Sequence, residues 1–197
     1  MDEPGLIQEA QRGDINAYNR LVLHYQGPVY NVAYRIMGEP QAAEDATQEA
    51  FISAYKALNR FRGGNFKSWL MRIATNACYD ELRRRKRRPQ SSLDEMTEDN
   101  ESSVILHSPG VGPEGQQQRL EIMEAIENCL QSLPDDQRVT AVLGDVEGYD
   151  YKEIADMTKV SLGTVKSRMS RARAKLRDCL QGYKELLPTS YRLMGST

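Results

Sequence analysis

Residues 42–88 constrain the fold most, because they predict two long helices that must pack against each other across a short turn. The run Arg62-Gly63-Gly64-Asn65 separates the two helices, and consecutive glycines favour a turn. Asn65 is also a preferred residue immediately before a helix, where its side chain accepts a hydrogen bond from a free backbone N–H. We therefore expect an all-α unit built around this helical pair.

The first helix of the pair, predicted over 41–60, has two unlike faces when its residues are placed at about 100° per residue. Small and apolar residues from Ala43 to Leu58 share the face expected to enter a core. The opposite face is acidic with one aliphatic side chain, which is typical of a docking surface but also of an ordinary solvated face. Its members are Asp45, Gln48, Glu49 and Ile52.

The second helix, predicted over 65–88, is strongly basic. Between Arg60 and Arg88 the chain has ten basic and two acidic residues. The six consecutive basic residues at its end exceed what is needed to complement a helix dipole. A basic helix that also carries an aromatic side chain suits the backbone and bases of a nucleic acid. One face of this helix combines Arg72, Asn76, Tyr79 and Arg83.

Two further helices are predicted before this pair. A short one covers 6–12, and a longer one follows Asp14 and reaches Ile36 with apolar residues at helical spacing. Gly27-Pro28 lies inside the longer helix, and it predicts an interruption or a kink because proline lacks the N–H that the helix needs.

Charge is strongly segregated along the chain, although the formal net charge is only -2. Residues 89–127 contain nine acidic and one basic residue, whereas residues 162–178 contain six basic and one acidic. The first part of the acidic stretch also lacks hydrophobic periodicity, which predicts a flexible linker. The predicted organisation is a helical domain at 1–88, a linker at 89–117, a second helical domain at 118–181 and a tail at 182–197.

Residues 151–180 have the pattern of a helix-turn-helix: a short helix, a tight turn, and a long basic helix capped by Ser161. An apolar stripe from Leu162 to Leu176 is expected to face inward. The outward polar side chains suit base edges and phosphates; alternatively, this is a basic amphipathic helix that only packs on its neighbours. The candidate DNA-binding residues are Thr164, Lys166, Ser167, Arg168, Ser170, Arg171 and Arg173.

These stretches resemble the extracytoplasmic-function sigma factors of bacterial RNA polymerase. The resemblance to their region 2 rests on AED-x-x-QEAF from Ala43, FRGGNFKSWL from Phe61 and RIATNACYDELRR from Arg72. The stretches EIA from Glu153 and GTVKSR from Gly163 are similar to their region 4. The family implies two small helical domains, region 2 and region 4, joined by a flexible linker.

The resemblance also implies partners. The acidic face within 41–60 would meet the clamp of the largest subunit of core RNA polymerase, and 118–181 would meet the flap and read the -35 element of promoter DNA. The glycine loop and the following helix would take up a flipped base and the melted strand of the -10 element. The implied -10 residues are Arg62, Gly63, Gly64, Asn65, Phe66, Trp69, Arg72, Asn76, Arg83 and Arg84.

One alternative and one departure accompany these roles. Trp69 also fits a core aromatic residue that packs near the start of the helix. Many family members have glycine in the tight turn where this chain has Lys159, and lysine in a left-handed conformation costs about 1 kcal/mol. The family further implies an inhibitory anti-sigma factor as a partner.

The remaining composition excludes several classes of protein. Cys78, Cys129 and Cys179 are far apart, which predicts three reduced thiols in a cytoplasmic protein. The N-terminus lacks the apolar segment of a signal peptide, and no run of about 18 apolar residues predicts membrane insertion. His24 and His107 lie outside any metal-ligand pattern, so we predict no catalytic residue, no metal site and no cofactor.

The predicted function is therefore that of an alternative sigma factor, which binds core RNA polymerase and directs transcription initiation through the -35 and -10 elements. The alternative is a stand-alone helix-turn-helix transcription regulator. Such a regulator would bind duplex DNA through its second domain and would need no polymerase-docking face.

Overall fold

The computed structural model describes residues 1–87 and 113–186, so most of the predicted linker and tail lies outside the described residues. Eight α-helices and no strands occur in these two ranges, which confirms the all-α prediction. The first four helices are α1 (Glu3–Gln11), α2 (Ile15–Met37), α3 (Pro40–Ala57) and α4 (Phe66–Arg87). The other four are α5 (Pro113–Gln131), α6 (Asp135–Ala141), α7 (Tyr151–Thr158) and α8 (Leu162–Gln181). A 3-10 turn at Leu58–Arg60 follows α3, and a π-helical turn at Val142–Val146 follows α6.

Helix α2 runs without a break through Pro28, so the predicted interruption does not occur. The helix is buried on both sides of the proline, with Tyr25 at 7% and Val29 at 0% exposure. This packing outweighs the roughly 3 kcal/mol that an interior proline costs a helix. The helix ends at Gly38, which adopts a left-handed conformation with φ 75°.

Helices α3 and α4 pack against each other and against α2, as the sequence predicts. The inward face of α3 consists largely of alanines, and Ala43, Ala50 and Ala54 are fully buried. Small side chains let the neighbouring helices approach closely. Asn65 caps α4 as predicted, because its side-chain oxygen accepts the backbone N–H of Ser68 at 2.9 Å.

The second domain contains the predicted helix-turn-helix. Ser161 caps α8 by accepting the backbone N–H of Thr164 at 3.1 Å. Lys159 in the turn is left-handed, with φ 55° and ψ 41°, so the expected cost of a side chain at this position applies. Val165 is buried as predicted, but Leu162 is 38% exposed. The inward assignment of Leu162 is therefore wrong, because the first turn of α8 extends past the core.

Cys129 of α5 and Cys179 of α8 form a disulfide, so the prediction of three reduced thiols is wrong for these two residues. They are separated by 50 positions in sequence and meet only because α5 and α8 pack together. Cys78 remains a free thiol in the core of the first domain. Burial raises the pKa of this thiol to about 12, so it stays protonated at neutral pH.

The two domains contact each other at the end of α2. The Nε of Arg138 donates to the carbonyl oxygen of Ile36 at 2.7 Å, and the Nε2 of Gln131 donates to that of Arg35 at 3.0 Å. An ion pair of 3.2 Å joins Arg35 to Glu127. The second domain is therefore docked on the first, which determines how far each candidate surface is accessible.

Candidate polymerase and nucleic-acid interfaces

The acidic face predicted on α3 is open to solvent. Asp45, Gln48 and Glu49 are exposed, and Ile52 is 48% exposed. Tyr55, which the sequence reasoning did not include, is 43% exposed and extends the apolar part of this face. The face therefore offers a partner both carboxylates and apolar surface, a combination that suits protein docking.

A cleft of 630 Å³ lies between α3 and α4. Asp45 and Glu49 line one wall, whereas Asn76 and Arg84 line the other. The structure thus brings together residues predicted to bind polymerase and residues predicted to bind the -10 element. Sequence reasoning missed other lining residues, which include Ser53, Ile73, Asp80 and Glu81. Helical spacing from Asn76 could have revealed Ile73 and Asp80, which lie three and four positions away on α4.

The loop between the 3-10 turn and α4 contains the two glycines that the sequence singled out. Gly63 and Gly64 both have φ 96°, a conformation that glycine adopts far more readily than other residues. No atom lies within 4 Å of the position that a Cβ would occupy at either glycine, among the described residues. The backbone of this loop is therefore open to a ligand on its outer side.

An aromatic cluster lies directly beneath this loop. The ring of Phe61 lies 5.4 Å from that of Phe66 and 5.2 Å from that of Trp69. Phe66 is only 2% exposed, so its ring packs in the core of the first domain. Trp69 packs against the core, as the alternative for this residue proposed, but remains half-buried.

The predicted DNA-binding arginines of α4 are exposed, and two of them form ion pairs along the helix. Arg84 lies 2.7 Å from Glu81, and Arg83 lies 3.6 Å from Asp80. The hydrogen bond from Arg84 is the largest cause that lowers the pKa of Glu81. Exposed pairs of this kind are weak, so a phosphate can replace the carboxylate at little cost.

The second domain covers another part of α4. Lys86 forms an ion pair of 2.8 Å with Asp135, and Lys67 forms one of 3.7 Å with Glu147. Between them, the Tyr79 hydroxyl is buried without a hydrogen-bond partner in the described part of the chain. Burial raises the pKa of Tyr79, and the nearby charge of Arg168 opposes this rise. The predicted -10 helix and the predicted -35 helix therefore approach each other here.

The candidate DNA-reading residues of α8 divide into two groups. Lys166, Ser167, Ser170 and Arg171 are exposed, and Thr164 is half-buried beside the helix cap. The other two pair with carboxylates of the same domain: Arg168 with Asp136 at 3.0 Å and Arg173 with Asp145 at 2.6 Å. Arg173 is nevertheless exposed, whereas Arg168 is half-buried.

In residues 1–87 and 113–186 no helix combines the length and apolar character needed to cross a bilayer. The same ranges contain no group of three or more His, Cys, Asp or Glu residues that could hold a metal ion.

Comparison with known families gives two matches. The family model described as Sigma-70 region 2 matches residues 21–88, and the one described as Sigma-70, region 4 matches residues 123–176. The chain is 40% identical over 179 residues to the RNA polymerase sigma-H factor of Pseudomonas aeruginosa, across 89% of this chain and 92% of that protein. It is 36% identical over 178 residues to the ECF RNA polymerase sigma-E factor of Escherichia coli K12, across 89% and 93%.

Solved structures give the same assignment. The sigma factor RpoE of Bartonella quintana, in complex with the anti-sigma factor NepR, aligns with a TM-score of 0.62 at 25% identity, over 85% of this chain and 98% of that one. CnrH, in complex with the cytosolic domain of CnrY, aligns with a TM-score of 0.61 at 25% identity, over 90% and 96%.

The all-α fold and these matches together define the class of protein, which is a transcription initiation factor. The chain belongs to the sigma-70 family, in its extracytoplasmic-function group.

Proposed function

We propose that this chain is an alternative sigma factor that binds core RNA polymerase in the cytoplasm and directs initiation at its own set of promoters. The observation that carries the proposal is the exposed face of Asp45, Gln48, Glu49 and Ile52 on α3. A stand-alone regulator has no use for such a face, whereas a sigma factor needs it to dock on the clamp of the largest polymerase subunit.

The -10 element is read, in this proposal, by the loop at 62–65 and by α4. The open glycine backbone receives a base that has left the duplex. Asn76 in the cleft and the exposed arginines of α4 then follow the melted strand. Trp69 supports the loop from beneath and offers its partly exposed ring for stacking.

The -35 element is read as duplex by α8, an arrangement typical of helix-turn-helix proteins. Lys166 and Arg171 are exposed and charged, so they suit guanine edges or phosphates. Arg168 and Arg173 join them once DNA has replaced Asp136 and Asp145 as their partners.

An anti-sigma factor is proposed as a further partner. One of the similar solved structures is a sigma factor in complex with an anti-sigma factor. Another is CnrH in complex with the cytosolic domain of CnrY. In this chain the second domain lies beside Tyr79 of α4 and pairs with Lys86, whose side chain stays largely exposed. A partner that bound both domains would hold them together in this arrangement.

The test is binding of the purified chain to bacterial core RNA polymerase, measured by co-elution and by fluorescence anisotropy. The Asp45→Lys/Glu49→Lys variant should lose binding, because it reverses the charge of the docking face. Glu9→Lys, which changes an exposed carboxylate of α1, is the control and should bind normally. If the wild-type chain binds duplex DNA but not core polymerase, the stand-alone regulator is correct instead.

A further inference from the structure

Gln11, the last residue of α1, connects this helix to the base of the glycine loop. Its Nε2 donates to the carbonyl oxygen of Leu58 at 2.9 Å and to that of Phe61 at 2.8 Å. These two carbonyls lie 47 and 50 positions away in sequence. Both belong to the stretch where α3 and its 3-10 turn end, immediately before Arg62-Gly63-Gly64.

The two hydrogen bonds add donors at the end of the 3-10 turn. The Leu58 carbonyl already accepts the backbone N–H of Phe61 at 3.0 Å, so Gln11 is its second donor. The Phe61 carbonyl lies at the end of the turn, where carbonyls have no intrahelical partner, and both residues are buried with exposures of 2% and 9%. A primary amide carries two N–H groups on one nitrogen, so a single glutamine can serve both carbonyls. Among neutral side chains of this length, only glutamine carries two N–H donors on one nitrogen.

Helix α1 gives Gln11 a rigid base. Leu6, Ile7 and Ala10 are buried against the rest of the first domain, and the hydroxyl of Tyr25 hydrogen-bonds to Glu3 at the start of α1. The packing of α1 therefore fixes the backbone from which the Gln11 side chain extends.

The loop is consequently attached at both ends and free between them. On one side Gln11 fixes the carbonyl of Phe61, and on the other Asn65 caps α4. Gly63 and Gly64 lie between these points in left-handed conformations, where the backbone has the most freedom to rearrange. A shift at Phe61 would move the glycines and the aromatic cluster together.

We infer that Gln11 is a positioning residue for -10 recognition: it holds the start of the 62–65 loop in the geometry that receives an unpaired base. Gln11 does not touch DNA in this role. The inference rests on the proposed function, because it assumes that the loop at 62–65 takes part in -10 recognition.

The first experiment needs neither polymerase nor DNA. Amide hydrogen exchange of the free full-length chain is compared between wild type and Gln11→Met, which keeps the length of the side chain but removes its donors. Exchange in 61–66 should accelerate by about tenfold while the interiors of α2 and α3 stay unchanged. Gln8→Met, an exposed position on the same helix, is the matched control and should change nothing.

The second experiment uses holoenzyme reconstituted with core polymerase. The probe is a promoter fragment that the wild-type holoenzyme selects from a randomised library, with its -10 strand left single-stranded. Each -10 position is replaced in turn by an abasic site, and the loss of affinity is measured. Removal of the base that the loop holds should cost the wild type about tenfold. In Gln11→Met the penalty at that position should fall below about twofold, with affinity for core polymerase unchanged.

Two results would overturn the inference: unchanged exchange in 61–66, or an abasic penalty equal to that of wild type. If Gln11→Met unfolds, exchange will rise throughout the first domain, and Gln11→Asn then replaces it. This variant keeps the amide but withdraws it by one methylene, so unchanged exchange at the loop in Gln11→Asn would also overturn the inference. Failure of the wild type to bind polymerase would refute the proposed function instead. The exchange experiment would then still show whether Gln11 holds the loop in place.

Discussion

Arg138 of α6 and Ile36 of α2 are joined by a hydrogen bond of 2.7 Å from the guanidinium Nε to the backbone carbonyl oxygen. The same guanidinium donates to the carbonyls of Gln131 and Leu133 and pairs with Asp135 at 2.8 Å. Arg138 is only 6% exposed, and burial lowers its pKa while Asp135 opposes that effect. One buried cation therefore organises the corner between α5 and α6 and also attaches it to the first domain.

Arg138→Met should destabilise the chain by about 3 kcal/mol, because it removes the donors of several buried carbonyls and leaves Asp135 with one partner fewer. Urea unfolding monitored by circular dichroism measures this loss. Fluorescence transfer between dyes on the two domains should fall at the same time, since the contact with Ile36 is broken. Arg171→Met, at an exposed position, should change neither quantity. A loss below about 1 kcal/mol would contradict the role given to Arg138.

Glu127 predicts a pH dependence of the contact between domains. Burial raises the pKa of its carboxyl, and Arg35 only partly opposes the rise. The docked state therefore binds a proton more tightly than the separated state, in which the carboxyl is solvated. Docking should strengthen as the pH falls from above the raised pKa toward the ordinary value of 4.5.

Fluorescence transfer between the domains, followed from pH 7 downward, tests this dependence. The wild type should show increasing transfer as the pH decreases, and Glu127→Gln should lack that component because its amide does not titrate. A wild-type profile that coincides with that of Glu127→Gln would contradict the assignment.

The disulfide between Cys129 and Cys179 predicts a stability that depends on redox state. It closes a loop of about 50 residues, and the chain-entropy relation gives about 4 kcal/mol for a loop of that size. Urea unfolding should show a loss of this order when dithiothreitol is added. Cys129→Ala/Cys179→Ala should not respond to the reductant.

Thiol counting gives an independent check on the disulfide. The denatured chain should react with one equivalent of alkylating reagent before reduction, at Cys78, and with three after reduction. Three reactive thiols before reduction would show that the bond is absent.

The left-handed backbone of Lys159 indicates that replacing this residue with glycine should stabilise the chain. Its φ of 55° costs a residue with a Cβ about 1 kcal/mol, which glycine avoids, although glycine also loses more entropy on folding. Lys159→Gly should therefore raise the free energy of unfolding by about 0.5 kcal/mol. Lys166→Gly, inside α8, should lower it by about 1 kcal/mol. If Lys159→Gly destabilised the chain, the strain of the left-handed turn would be smaller than the entropy that glycine loses on folding.

The helices and their caps were predictable because they depend on local patterns. Asn65 and Ser161 cap the helices that the sequence assigned to them, and the exposed face of α3 follows from spacing alone. The expected break at Pro28 is absent because packing of Tyr25 and Val29 outweighs a local preference.

The features that sequence reasoning missed depend on distant parts of the chain. The Cys129–Cys179 pair and the two bonds of Gln11 join residues about 50 positions apart, and no periodicity encodes them. The motif around Phe66 did not indicate that its ring lies in the core. The cleft itself was not predictable, because its two walls belong to different helices, although helical spacing from Asn76 places Asp80 on the same face of α4.

The contacts between the domains have one consequence for how the chain is made. They join residues 92, 96 and 102 positions apart, whereas the helices of the first domain complete their core within residues 1–87. Since long-range contacts form late and domains fold in order during synthesis, we expect the first domain to be folded while the ribosome is still producing the second. During that interval the part of α4 around Tyr79, which the second domain later approaches, is uncovered. The acidic face of α3 is open both then and in the complete chain, so a nascent chain is free to engage a polymerase before its second domain exists.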